Sequence, residues 1–313
     1  MSGLSINLFG PPRIELDGTS ISVDTRKAIA LITYLAVTRQ QHSRDSLATL
    51  LWSENDQPHA RAALRRTLSA LNKALKGQWL DIGRETLALD FQAGIRVDVH
   101  EFRSLLAAWN THGHPASEVC TACIQPLTEA VALYQDEFLA GFSLRDSPDF
   151  DDWQFYQADT LRSEFASALE RLTRCYSGLH QFEIAIAYAR RWLAQDKLHE
   201  PAHRQLMLLY AWAGQRTAAL QQYRECVQAL DQELGVSPLE ATTHLYQLIK
   251  ENHIPAPPPA LQAPALPQET VGTRFIASFP ASTTTLPTSI STNHVDGHEN
   301  GHAGGHEDRH TGG

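Results

Sequence analysis

The sequence predicts a mainly α-helical protein with a small α+β domain at its amino terminus, an all-α domain after it and a disordered tail. Three observations predict this. Short alternating apolar runs surround three helical patterns up to about residue 98, and helical periodicity then continues with little interruption to Asn252. Beyond Ile254 the composition turns to Pro, then Ser/Thr, then Gly/His. Such a segment has almost no periodic apolar pattern to offset its ordering entropy. The expected domains are therefore 1–98, 99–253 and 254–313.

Leu4, Ile6 and Leu8 alternate, as do Ile14 and Leu16, and Asp17-Gly18 supplies a turn before Ile21 and Val23. This is the pattern of three short antiparallel strands. Thr25 can cap a helix whose Ala28, Leu31, Ile32, Leu35 and Ala36 share one face, and Ser43 can cap a shorter one with Leu47, Leu50, Leu51 and Trp52 on its apolar side. A third helix begins near Pro58, with Leu64, Leu68, Leu71 and Leu75 as its core stripe. Residues 79–89 have the layout of a hairpin, and 95–99 that of its continuation or of a final strand.

The charge is unevenly spread. The chain has 26 Lys+Arg against 35 Asp+Glu, a net of -9 that by itself disfavours a nucleic-acid partner. Residues 1–97 nevertheless carry about +3 and the remainder about −12. Between Gln57 and Leu80 there are five basic residues and no acidic one. An ordinary solvated helix interleaves both signs. On the third helix Ala62, Arg66, Ser69 and Lys73 lie opposite the leucine stripe, with Arg61 and Arg65 on a flank.

Strands, three helices with the last one basic, and then a hairpin form the order of a winged helix-turn-helix. In such a domain the core stripe pins the third helix while its outward cations neutralise phosphates or fork onto guanine edges in the major groove. Arg84, at the hairpin turn, would meet a phosphate or the minor groove. The competing readings are a solvated basic helix in a domain that binds nothing, and an interaction scaffold in which the winged helix is a folding or docking module.

The all-α part is expected to hold helices over 102–109, 123–139, 153–178, 182–195, 201–213, 216–233 and 238–251. A shift of 34 residues places Leu172 on Leu206, Tyr176 on Tyr210, Ala185 on Ala219, Ile186 on Leu220 and Arg190 on Arg224. That is the period of a tetratricopeptide repeat, which exposes a surface for a peptide or another protein. A plain helical bundle is the alternative.

The stretch LTEAVALYQDEFLAGFSLRDSPDFDDWQ, residues 127–154, resembles the opening of the bacterial transcriptional activator domain. With TRKAIALITYLA, RDSLATLLW and ARAALRRTLSALNKAL in the first three helices, the chain from about 4 to 250 resembles the SARP-type bacterial regulators, which join a response-regulator-like winged helix to a tetratricopeptide-like domain. The resemblance implies binding to double-stranded promoter DNA at direct repeats, recruitment of RNA polymerase and a helical domain that assists homodimer formation. By matching positions, Arg65, Arg66, Ser69 and Lys73 inherit the recognition-helix role and Arg84 the wing role. Asn72 stands where related winged helices often carry a basic residue, and it can still read adenine. The expected DNA-binding set is Arg61, Arg65, Arg66, Ser69, Asn72, Lys73 and Arg84.

Little in the sequence points to catalysis. It contains no G-x-x-x-x-G-K-[ST] or G-x-S-x-G, and no enzyme activity and no cofactor are expected. One cluster has metal-ligand character. His112 and His114 precede Cys120 and Cys123, and two imidazoles with two thiolates would complete a tetrahedral structural zinc site. The alternative is a pair of reduced thiols near solvated imidazoles. In the tail, His294, His298, His302, His306 and His310 recur every four residues, but the intervening glycines oppose a helix. No run approaches a membrane span, the start lacks a secretion-signal layout, and four cysteines do not make a disulfide scaffold. A cytoplasmic location without membrane contact is expected.

Overall fold

The computed structural model describes residues 3–23, 25–109 and 118–261. All of them lie within the first of two compact units, Met1–Leu266.

The chain opens with strands β1 (Leu4–Asn7), β2 (Arg13–Leu16) and β3 (Thr19–Ser20), antiparallel in sequence order. Their period-two pattern buries Leu4, Ile6, Ile14 and Leu16 on one face. The third strand is shorter than its apolar residues predict. Ile21 adds only one further backbone bond, to Ile14, before the chain turns toward the first helix.

Helix α1 (Arg26–Thr38) starts at Thr25, whose hydroxyl accepts from the Ala28 amide. Helix α2 (Arg44–Leu51) starts at Ser43, which accepts from Ser46. Helix α3 (Gln57–Ala74) starts at Asp56, with Pro58 in its first turn. Two strands of a second sheet follow, β5 (Leu80–Ile82) and β6 (Thr86–Leu89). The sheet has a third member that local pattern does not announce. Strand β4 (His42–Ser43) pairs with β6 and ties the start of α2 to the hairpin.

Of the two alternatives for residues 95–99, strand β7 (Arg96–Val97) is the final strand. It does not extend the hairpin but joins the first sheet parallel to β1, with Val97 opposite Ile6. Gly94, at φ +88°, makes the reversal that carries the chain there. The sheet order is β3-β2-β1-β7.

Among the described residues seven α-helices follow: α4 (Asp98–Ala108), α5 (Ile124–Leu133), α6 (Pro148–Gly178), α7 (Phe182–Leu193), α8 (Glu200–Trp212), α9 (Arg216–Leu234) and α10 (Glu240–Lys250). The 34-residue shift is present in the backbone. His180 and Gly214, 34 apart, both take positive φ, and α7 and α9 begin 34 apart. Leu172 and Leu206, and Ala185 and Ala219, are buried.

Two helix boundaries differ from the apolar spacing by five residues or more. The helix expected over 123–139 stops at Leu133, because the next segment pairs with the amino-terminal sheet: Leu139 donates to the Leu8 carbonyl at 2.8 Å and Gly10 to the Glu137 carbonyl at 3.0 Å. Helix α6 begins at Pro148, five residues before the apolar period does, where Pro and two first-turn aspartates suit a helix start.

This pairing makes the two halves one packed body. Phe9 of the sheet meets the Phe102 and Tyr134 rings at 5.3 and 4.6 Å, and Tyr134 stacks on Phe165 at 4.1 Å. Asp98 reinforces the junction from within: its carboxylate accepts from the Leu8, Phe9 and Val99 amides. Ser147 donates its hydroxyl to the Leu51 carbonyl at the end of α2, and Lys27 pairs with Asp146 at 2.7 Å. The direction of α3 is thus set against the whole helical domain.

Composition predicts a tail from residue 254, yet the chain continues in contact with the helices to Leu261. Residues 262–313, including the five histidines, lie outside the described residues.

Candidate nucleic-acid interface

Helix α3 is held from one side. Ala60, Leu64, Leu68 and Leu71 are buried, as is Leu75 at its end. Each fully buried leucine contributes roughly 1.5–3 kcal/mol relative to exposure, so the rotation of this helix is firmly specified. Arg61, Arg65, Arg66, Ser69 and Lys73 are left exposed and Asn72 half-buried. The helix ends where Lys76 and Gly77 take positive φ and the Gly77 amide closes on the Asn72 carbonyl.

The expected residues fall into two groups. Arg61 and Arg65 border a shallow cleft with Arg84 of the hairpin, beside Asp45 and Glu85. Arg66, Ser69 and Lys73 line a separate open groove whose far wall is Ser22. Asn72 borders neither.

Their electrostatic states differ as well. Arg61 holds Asp45 of α2 through one guanidinium edge, its Nε and Nη2 donating to the two carboxylate oxygens; this contact keeps the Asp45 carboxyl below its usual range and raises the Arg61 guanidinium. Arg84 stands at the hairpin tip, 96% exposed, with Glu85 at 3.8 Å. Among the described residues, Arg65, Arg66 and Lys73 have no ion-pair partner. The acidic helical domain leaves them uncompensated.

One cation of the cleft escapes sequence reasoning. Arg44, the first residue of α2, lines the cleft between Arg61 and Arg84. Its amide donates to the Glu85 carbonyl, while its buried Nε has no hydrogen-bond partner among the described residues. A buried charged donor left open is costly unless something supplies an acceptor. Its local signal was the Ser43 cap, which places Arg44 at a helix start. Its approach to the hairpin depends on β4.

Residues 97–250 match the family model of the bacterial transcriptional activator domain. Through this domain the chain is similar to the SARP-type transcriptional regulators. It is 26% identical over 250 residues to the transcriptional regulatory protein EmbR of Mycobacterium tuberculosis, covering 75% of this chain and 60% of that protein. It is 22% identical over 253 residues to the transcriptional regulatory protein MoaR1 of the same species, covering 79% of each. The chain thus spans about three-fifths of the length of the EmbR relatives. The fold is similar to that of Mycobacterium tuberculosis EmbR in complex with a low-affinity phosphopeptide, at TM-score 0.64 and 22% identity, covering 80% of this chain and 66% of that one. In this chain the stretch 127–154 is the segment that seals the winged helix onto the helical domain, through Tyr134, Leu139 and Ser147.

Of the four expected zinc ligands, Cys120 and Cys123 lie together with sulfurs 3.5 Å apart, and His112 and His114 lie outside the described residues. Cys175 donates toward the Cys120 carbonyl, and burial pushes its thiol up to about 12. Burial also raises Cys123. Among the described residues no group of three or more His, Cys, Asp or Glu is placed to hold a metal. None of the described helices is long and apolar enough to cross a membrane.

Proposed function

We propose that this chain is a sequence-specific, promoter-binding transcriptional regulator that lays α3 in the major groove and sets the hairpin on the neighbouring backbone. The observation that carries this is the exposed face of α3. Arg65, Arg66 and Lys73 project from a helix pinned by its leucine stripe, and no described acidic side chain neutralises them. Arg66, Ser69 and Lys73 form the base-reading and phosphate-contacting face. Arg65, Arg44 and Arg84 flank it as a backbone clamp, and Arg61 works through its bond to Asp45 by fixing the start of α2. Asn72, lower on the flank, orients the end of the helix.

The module acts in the cytoplasm as an activator that recruits RNA polymerase, and the helical domain supports pairing of two copies on repeated half-sites. Among the described residues these cations form no ion pair with the helical domain, which favours the DNA reading over one in which the winged helix docks onto that domain. Selection of oligonucleotides by the purified full chain tests the proposal. An enriched operator, bound at least tenfold more weakly by Arg66→Ala, is the expected result. No enrichment over random sequence would remove it.

A further inference from the structure

The chain beyond α10 does not leave the helical domain at once. Residues 253–261 read His-Ile-Pro-Ala-Pro-Pro-Pro-Ala-Leu and run along the ends of α6 and α8. Four prolines fix φ near −65° and remove four amide donors, so the segment favours an extended polyproline conformation whose carbonyls point outward unsatisfied. A receptor for it must supply donors and flat apolar surface.

The helical domain supplies both. The Trp212 indole donates to the Pro255 carbonyl at 2.8 Å, and the His180 Nε2 donates to the Pro258 carbonyl at 3.0 Å. These two rings belong to one aromatic row: His180 stacks on Phe182 at 5.6 Å, and Phe182 meets Trp212 at 5.7 Å. At the far end, where an amide is present again, Leu261 donates to the Gly178 carbonyl at 2.8 Å. Its side chain sits on Gly178 so closely that a Cβ there would lie 2.6 Å from the Leu261 Cγ. The absence of a side chain at 178 is therefore a fitted seat for a leucine. Positions 178 and 212 are equivalent under the 34-residue shift, so one repeat offers the seat and the next the indole.

We propose that this groove between α6 and α8 is a recognition site for an extended proline-rich segment ending in leucine, filled in cis by residues 255–261 as an exchangeable strap. Aromatic rings with indole donors are the general chemistry by which proline-rich segments are bound. Because the strap is tethered, its local concentration is on the order of millimolar, and a peptide of the same sequence must displace it to bind. The groove anchors the start of the chain beyond 261 and converts proline-rich ligands into competitors for that anchor.

The test uses the full chain and a fluorescein-labelled peptide, HIPAPPPAL. A strap-opened variant, Pro258→Gly with Pro259→Gly and Leu261→Asp, is expected to bind the peptide at least tenfold more tightly than the intact chain. Adding Gly178→Leu to the opened variant is expected to abolish that binding while the far-ultraviolet circular dichroism stays unchanged. Equal peptide affinity for the intact and opened chains overturns the proposal. A measurement without substitutions stands beside this one. Excess unlabelled peptide is expected to accelerate amide exchange at Leu261 in the intact chain, and an exchange rate independent of peptide overturns the proposal. If the Leu261 amide is protected only above the concentration at which the chain dimerises, the strap belongs to a second copy and the cis assignment fails.

Discussion

The sharpest consequence of the interface concerns salt. In the double variant Arg66→Ala/Lys73→Ala, two exposed cations without an ionic partner disappear from the face opposite the leucine stripe. Each such cation that meets a phosphate releases a condensed counterion and contributes about 0.9 to the slope of log affinity against log salt. The double variant should therefore flatten the slope by about 1.8. Between 50 and 200 mM salt, a fourfold change, the wild-type advantage over the variant shrinks roughly 12-fold. Arg61→Ala serves as the internal comparison. Its charge is already matched by Asp45, so its removal should change the slope by less than half of one contact. Fluorescence anisotropy of a short labelled duplex of arbitrary sequence, titrated with full-length protein at several salt concentrations, reads all three slopes. A double-variant slope equal to wild type, or an Arg61→Ala effect at least half as large as that of the double variant, would refute the placement of the DNA face.

Other outcomes follow from the same geometry. Asp45→Ala should free the Arg61 guanidinium and steepen the wild-type salt slope by up to about 0.9, measured in the same titration. Asp98→Ala orphans the Leu8, Phe9 and Val99 amides and should lower stability by about 3 kcal/mol, read from urea unfolding at pH 7. Burial raises the Asp98 carboxyl despite these bonds. The native state then keeps a proton that the unfolded chain has lost, so this group's contribution to stability falls as pH rises from the ordinary carboxylate range through the raised native value. Asp98→Asn should flatten that part of the stability profile, and an unchanged profile would show that another group sets it. For Cys120 and Cys123 we propose that His112 and His114 complete a zinc site. Purified protein should then carry about one zinc per chain, and Cys120→Ala should release it. Metal analysis that finds none in protein with intact thiols removes the site.

Much of this molecule is local physics and was legible in order. Thr25, Ser43 and Pro58 announce the three amino-terminal helices because caps and first-turn prolines act within one turn. The leucine stripe of α3 declares which face is buried, and its uniform charge declares what the other face can meet. The 34-residue period needs only a helix, a reversal at His180 or Gly214 and another helix, each encoded within its own repeat. A net of -9 conceals all of this, because charge acts over a Debye length of about 10 Å and not over a whole chain.

What tertiary structure decided are the pairings between distant segments. No local rule places Val97 beside Ile6, and two-residue strands such as β4 acquire their identity only from the partner that satisfies their amides. The helix expected through Leu139 stops early because Phe138 and Leu139 are buried against the first sheet, and burial leaves the same apolar signature whether the backbone is helical or extended. Arg61 has the composition of a DNA contact, yet Asp45, sixteen residues earlier, takes its Nε/Nη2 edge and matches its charge. The strap is the same case at longer range. Its prolines predict an extended chain, but only the Trp212 indole, the His180 ring and the bare Gly178 backbone decide where that chain lies, because hydrogen-bond donors and steric room are properties of the assembled surface.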